Sequence, residues 1–189
     1  MDIAIIGWGS LIWNPDGLAI KSRWHRDGPG LPIDFSRVSD NRCLTLVIDP
    51  AAHVVRTYWA ASECVTVEDA REDLRRRERT PNIGNIHGVV VGRADELPGL
   101  QDTKQIVRAW LFEKQLDAAL WTGLGPKTTA EAEVVFDPIH YLRSLCGAEL
   151  ERAREYICKA PPQIVTPVRL RIEQELGWAR VPLNSDLFE

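Results

Sequence analysis

The sequence predicts an α+β domain built on a curved or barrel-like sheet. Predicted strands outnumber helices, most of them lie in the first half of the chain, and one clear helix is inserted among them. A doubly wound parallel sheet would instead alternate strands with helices along the whole chain. With 189 residues, 44% of them apolar, the chain is long enough for one domain with a sizeable core. We predict a single domain over residues 1–189, in which residues 161–189 form a C-terminal arm.

Four strands are predicted in the first third of the chain. Residues 3–6 are a short, wholly apolar and β-branched run, which is typical of a buried strand. A Gly- and Pro-rich loop over residues 14–32 follows. Residues 33–41 and 43–48 then form two strands of a predicted hairpin, and residues 54–60 alternate as a further strand.

The clearest helix spans residues 66–79. Thr66 is a good N-cap residue, and acidic side chains crowd the first turns while arginines crowd the last. Val67, Ala70 and Leu74 recur at helical spacing, so they predict the face that packs on the core.

Fewer elements are predicted in the chain after residue 80. Residues 86–91 and 106–112 are apolar runs that we interpret as strands. Asp137, followed by a proline, predicts a helix start, and Gly147 interrupts that helix before residues 148–159 continue it.

Composition excludes several classes of partner. The net charge is −4, with acidic and basic residues interspersed, so no basic patch favours nucleic-acid binding. The four cysteines lie far apart and form no C-x-x-C pair, which is typical of reduced thiols in a cytoplasmic protein. No apolar segment approaches membrane-spanning length. We therefore expect a cytoplasmic protein without nucleic-acid or membrane partners; the oligomeric state is not predicted.

The most distinctive segment is the turn that follows the first strand. An apolar run enters a pair of glycines, and a second tryptophan and Asn14-Pro15 close the turn. Backbone N–H groups that are bare in such a turn can bind the oxygens of an anionic or amide-bearing ligand. The candidate binding residues are Gly7, Trp8, Gly9, Ser10, Leu11 and Trp13.

Three other interpretations of the chemistry are weaker. A dinucleotide fingerprint would need a third glycine where Ile12 stands, and Asn14-Pro15 ends any following helix after barely one turn. Ser10 lacks the trailing glycine of a nucleophile elbow. The histidines have no neighbours at ligand spacing, so no metal site is predicted.

Glu78 is the candidate catalytic carboxylate. It lies eleven residues after Val67, which returns the helix to within about 20° of the same direction, and Leu74 is one turn before it. We therefore expect Glu78 to face inward, and a carboxylate at a cavity wall is typical of a general acid/base. The alternative is a structural ion pair with Arg75 or Arg71. Three neighbouring side chains are expected to splay outward: Arg76, Arg77 and Arg79.

The turn resembles a family signature. Residues 7–13, G-W-G-S-L-I-W, are similar to the G-Y-G-S-L-I-W signature of the γ-glutamylcyclotransferase-like superfamily, especially its ChaC-type branch. Residues 68–78 resemble the branch's E-D-A…L-x-x-R-E helix, and residues 55–60 its V-x-G-x-x-Y strand. Weaker similarity extends the resemblance over roughly residues 3–157: it includes residues 35–37, 125–126 and 140–142.

The resemblance implies a small mixed β-barrel with flanking helices, and an enzyme without a cofactor. Its members cleave γ-glutamyl amides to 5-oxoproline and a free amine, with a glutamate at the position of Glu78 as acid/base and the turn around Trp8 holding the γ-glutamyl part. This chain departs from the pattern: Trp8 replaces a tyrosine, Thr57 replaces a glycine, and residues 79–82 replace a Gly-Tyr pair. The alternative is a catalytically silent member that binds a small metabolite or a protein partner.

Overall fold

A computed structural model describes residues 1–93, 97–127 and 136–189. Within these ranges the protein has a mixed α+β fold with seven strands in two sheets and six α-helices. The chain divides into two compact units. The first unit contains Met1–Leu31, Arg56–Gly123 and Asn184–Glu189, and the second contains Pro32–Val55 and Leu124–Leu183.

The strands are β1 (Ile3–Gly7), β2 (Gly30–Val38), β3 (Leu44–Ile48), β4 (Val54–Arg56), β5 (Tyr58–Ala61), β6 (Ile86–Val90) and β7 (Ala118–Thr122). The helices are α1 (Ser10–Trp13), α2 (Val67–Arg77), α3 (Gln101–Lys114), α4 (Pro138–Ser144), α5 (Gly147–Lys159) and α6 (Pro167–Leu176).

The first unit is built on a mixed sheet in the order β5-β1-β7-β6. Strand β1 runs antiparallel to β5 and parallel to β7, and β7 runs antiparallel to β6. All five residues of β1 are buried, which explains why its sequence is continuously apolar instead of alternating. Helices α2 and α3 pack against β6 and β7. Among the described residues the sheet ends at β5 and β6 and does not close into a barrel.

The second unit has a three-stranded sheet in the order β3-β2-β4 and contains helices α4 to α6. The predicted hairpin is confirmed, since β2 and β3 pair antiparallel, with a shift in register between Phe35 and Arg37. Helix α5 packs on β3, and α4 packs on α6. Phe35 and Ile157 belong to the buried core of this unit.

Helix α2 confirms the sequence prediction closely. The Thr66 Oγ1 accepts a hydrogen bond from the Asp69 backbone N at 3.1 Å, as an N-cap residue does. The three residues of the predicted core-facing stripe, Val67, Ala70 and Leu74, are all buried. The helix ends at Arg77, slightly earlier than predicted, and Glu78 is its C-cap residue.

The predicted strand over residues 106–112 is wrong, because these residues lie inside α3. Val107, Trp110 and Leu111 are buried, whereas the neighbouring Phe112 is 85% exposed. Helical spacing decides the structure here, and it outweighs the β-propensity of the aromatic and branched residues.

Two further elements differ from the prediction. The strand predicted over residues 54–60 is split at Thr57 into β4 and β5, which belong to different sheets. The buried Thr57 hydroxyl donates to the Pro29 carbonyl at 2.7 Å, which fixes the chain at the break. Helix α6 was not predicted, although Thr166 caps it and Pro167 opens it, because its apolar periodicity is weak.

In the described part of the chain, the helices are too short or too polar for any of them to span a bilayer.

Candidate functional site

The glycine turn, defined as residues Gly7–Leu11, lies in the first unit between β1 and α1. Gly7 ends β1, and Gly9 is the N-cap residue of α1. The Asn14 backbone N donates to the Ser10 carbonyl at 2.9 Å, and the following proline prevents a second turn. The segment therefore delivers a short, tightly turned loop at the end of a buried strand.

Packing explains the first glycine of the turn. A Cβ on Gly7 would lie 3.1 Å from Cζ3 of the buried Trp24 and 3.3 Å from Cδ2 of Leu11. Such distances are shorter than ordinary van der Waals contact. Trp8 and Leu11 are buried, while Ser10 and Trp13 are half-buried. The predicted binding residues thus include several that also form the core of this unit.

Glu78 lies at the C-terminal end of α2, also in the first unit. Its backbone N donates to the Leu74 carbonyl at 2.9 Å, and its φ and ψ of −74° and −7° continue the helical conformation. The side chain of Glu78 is 17% exposed, so its carboxylate is mostly removed from solvent.

Arg77 connects Glu78 to the glycine turn. Its Nη1 donates a short hydrogen bond to Oε1 of Glu78, while its Nη2 donates to the Asn14 carbonyl at 2.7 Å and to Oγ of Ser10 at 3.3 Å. One guanidinium group therefore contacts both predicted halves of the site. The expectation that Arg77 splays outward is wrong, because its side chain is only 9% exposed.

The structural ion pair expected as the alternative for Glu78 has a different partner. Arg75 forms a bidentate pair with Glu72, at 2.7 and 2.6 Å, and its Nη1 donates to the Thr80 carbonyl. Arg71 donates to the Ile83 and Ile86 carbonyls. The ion-pair partner of Glu78 is instead the adjacent Arg77.

A second pair of contacts ties the loop after α1 to α2. Arg79 Nη2 lies 2.6 Å from Oδ2 of Asp16, and both residues have a positive φ, 52° and 47°. The carboxylate of Asp73, near the middle of α2, accepts from the Ala19 backbone N at 2.8 Å. Because the loop is bonded at several points, the glycine turn and the end of α2 are held in a fixed relation.

Arg77 is the functional candidate that the sequence interpretation missed. Its position lies about 80° around the helix from Val67, which places it at the border of the apolar face. Its Nε is buried and has no hydrogen-bond acceptor among the described residues. A buried charged donor without an acceptor is uncommon in proteins.

The described residues contain no group of three or more His, Cys, Asp or Glu side chains arranged to hold a metal ion. His25 stacks on Trp59 with ring centroids 4.2 Å apart, and its Nδ1 is 3.2 Å from Oε2 of Glu189. Burial lowers the pKa of His87, and the positive charges of Lys104 and Arg71 lower it further. The contacts of His25 and the burial of His87 are those of residues that stabilise the fold.

Comparisons of the chain with protein-family models, with curated proteins and with solved structures find no significant match. The chemistry of the residues around Glu78 and the glycine turn is therefore the basis for assigning a function.

Proposed function

We propose that the protein is a γ-glutamyl amide cyclotransferase in which Glu78 is the acid/base. The observation that carries the proposal is the position of Arg77, which donates hydrogen bonds to both Glu78 and Ser10. A carboxylate and a loop that share one guanidinium are close enough to act on the same small substrate. The proposal includes the small mixed β-barrel that the family resemblance implies.

The reaction is an intramolecular attack. The substrate's α-nitrogen attacks its own γ-carbonyl carbon, a C–N bond forms to close the lactam, and the C–N bond to the leaving amine breaks. The α-ammonium group first releases one proton to solvent, which leaves a neutral amine that can attack. Glu78 takes a second proton from the α-nitrogen during the attack and returns it to the leaving nitrogen, which departs as a neutral amine. A substrate held in a curled conformation reacts faster, because the entropy of bringing the two groups together is already lost on binding.

The glycine turn supplies the binding half of the proposal. Its backbone N–H groups would hold the γ-glutamyl part, and Trp8 and Trp13 would form the apolar walls, with Gly7 allowing Trp24 to pack beneath the turn. Only protons and an acyl group are transferred, so the proposal names no cofactor.

The test is product formation from a panel of γ-glutamyl compounds that includes glutathione and γ-glutamyl amino acids, assayed as 5-oxoproline. We expect the wild type to form product from at least one compound, and Glu78→Gln to lower kcat by about 10²- to 10⁴-fold. The matched control is Glu68→Gln, which changes an exposed carboxylate on the same helix and should leave the rate unchanged.

The melting temperature separates the alternatives. Glu78→Gln keeps a side-chain oxygen that can accept from Arg77, so the variant should stay folded at the assay temperature while turnover is lost. A variant that unfolds at that temperature would favour a purely structural Arg77–Glu78 pair. Folded wild-type protein that forms no product from any compound would contradict the proposal. Thermal stabilisation by a γ-glutamyl compound without product would instead identify a catalytically silent binding protein.

A further inference from the structure

We propose that Arg77 binds the α-carboxylate of a γ-glutamyl substrate while Glu78 meets its α-ammonium group. This inference rests on the proposed function and adds a specificity-determining residue to it. It concerns Arg77, whose mostly buried guanidinium contacts both Glu78 and the glycine turn.

The first observation is the incomplete bonding of Arg77. Its side chain is only 9% exposed, and its two terminal nitrogens donate to Glu78, Ser10 and Asn14. The Nε remains without an acceptor among the described residues. A carboxylate oxygen is a strong acceptor for a guanidinium N–H, so a substrate carboxylate supplies the acceptor that Nε lacks.

The second observation is the arrangement of charge. Arg77 and Glu78 form a mutual ion pair in which both side chains are mostly buried. The α-carbon of a γ-glutamyl compound carries one negative and one positive group. When such a zwitterion replaces the internal pair, each buried charge exchanges one partner for another, and no charge is left alone. A ligand with only one of the two charges would leave one side chain without a partner.

The third observation is the position of the guanidinium. The Asn14 carbonyl and the Ser10 hydroxyl hold it at 2.7 and 3.3 Å, beside the turn that is proposed to bind the γ-glutamyl chain. The substrate's head group and its γ-carbonyl would then be held by adjacent parts of the same site. Lysine would keep the charge but lose the planar fork, so arginine has a specific advantage at this position.

A purely structural role of Arg77 predicts a different effect of its removal on turnover. If Arg77 only ties α2 to the loop after α1, its removal should slow the turnover of every substrate by the same factor. If it binds the α-carboxylate, its removal should slow substrates that have this group more than substrates that lack it.

The experiment compares one γ-glutamyl amide of the same panel with its α-carboxamide analogue, measuring release of the leaving amine from both. We expect the wild type to prefer the α-carboxylate by about 10- to 100-fold in kcat/KM, mainly through KM. Arg77→Gln should reduce this preference to less than about threefold, and Arg77→Lys should give an intermediate value. Arg76→Gln is the control, because its side chain is 65% exposed on the same turn.

Binding of the same two compounds, measured by calorimetry on a Glu78→Gln background with and without Arg77→Gln, distinguishes this inference from the proposed function. An Arg77-dependent preference in binding without turnover by the wild type supports the inference and contradicts the proposed function. Turnover by the wild type with equal losses on both compounds after Arg77→Gln overturns the inference alone. Folded wild type that cleaves both compounds equally well also overturns it, and folded wild type that neither binds nor cleaves either compound overturns both.

Discussion

Gly7 shows how a single residue of the glycine turn is constrained by packing. A Cβ at this position would lie 3.1 Å from the Trp24 ring and 3.3 Å from the Leu11 side chain, so Gly7→Ala forces buried groups apart. We expect a loss of about 1–3 kcal/mol in the free energy of unfolding, measured by denaturant titration. Gly125→Ala is the control, because no atom of the described residues lies within 4 Å of a Cβ built there. We expect a change below about 0.5 kcal/mol, and equal losses in the two variants would contradict this explanation.

For single residues of α2, helical spacing predicts the direction of some side chains but not of others. The burial of Val67, Ala70 and Leu74 followed from their spacing, because short side chains stay close to the direction of the Cα–Cβ bond. Arg77 was expected to face solvent, yet its long side chain turns toward Glu78 and Asn14. The direction of a flexible cation depends on acceptors that are remote in sequence, and spacing within one helix does not contain that information.

At the scale of elements, Asp34 connects β2 to the start of α6 within the second unit. Its carboxylate accepts from the Phe35 backbone N at 2.8 Å and from the Thr166 side chain and the Val168 backbone N. Burial raises the pKa of Asp34, although these hydrogen bonds oppose the shift. Because the folded pKa exceeds the unfolded one, the contribution of Asp34 to stability is fully present below the unfolded value and is lost as the pH rises through the folded value.

Asp34→Asn should therefore change the pH dependence of stability. The amide stays neutral, so the stability of the variant relative to the wild type should rise as the pH increases from about 3.5 to 7. Melting temperatures of both proteins across this range measure the difference. A difference that is constant with pH, or that falls, would show that the charge of Asp34 is not what the fold disfavours.

Elements were predictable where local signals agreed with each other. Helix α2 combined a cap, a charge gradient and an apolar stripe, and its bounds were nearly correct. Helix α3 was missed because aromatic and branched residues favour a strand, while the burial of Val107, Trp110 and Leu111 depends on the sheet they pack against. The break at Thr57 depends on a hydrogen bond to the distant Pro29, which no local pattern indicates.

For the whole molecule, we expect the two compact units to unfold together. Each unit is assembled from separated stretches of the chain. When one unit folds, it therefore brings together the two ends of a chain segment that belongs to the other unit. This connectivity lowers the entropy that the second unit loses on folding. We therefore expect one cooperative transition, in keeping with the single domain predicted over residues 1–189.

Two probes can follow the units separately. Six of the seven tryptophans lie in the first unit, so fluorescence of a Trp178→Phe variant reports on that unit. In the second unit, Cys43 and Cys158 are buried, and burial raises the pKa of the Cys43 thiol to about 12, so both thiols should react with a thiol reagent only after unfolding. In a denaturant titration we expect the fluorescence and labelling midpoints to coincide. Midpoints that differ beyond error would contradict a single domain, and the lower of the two would identify the less stable unit.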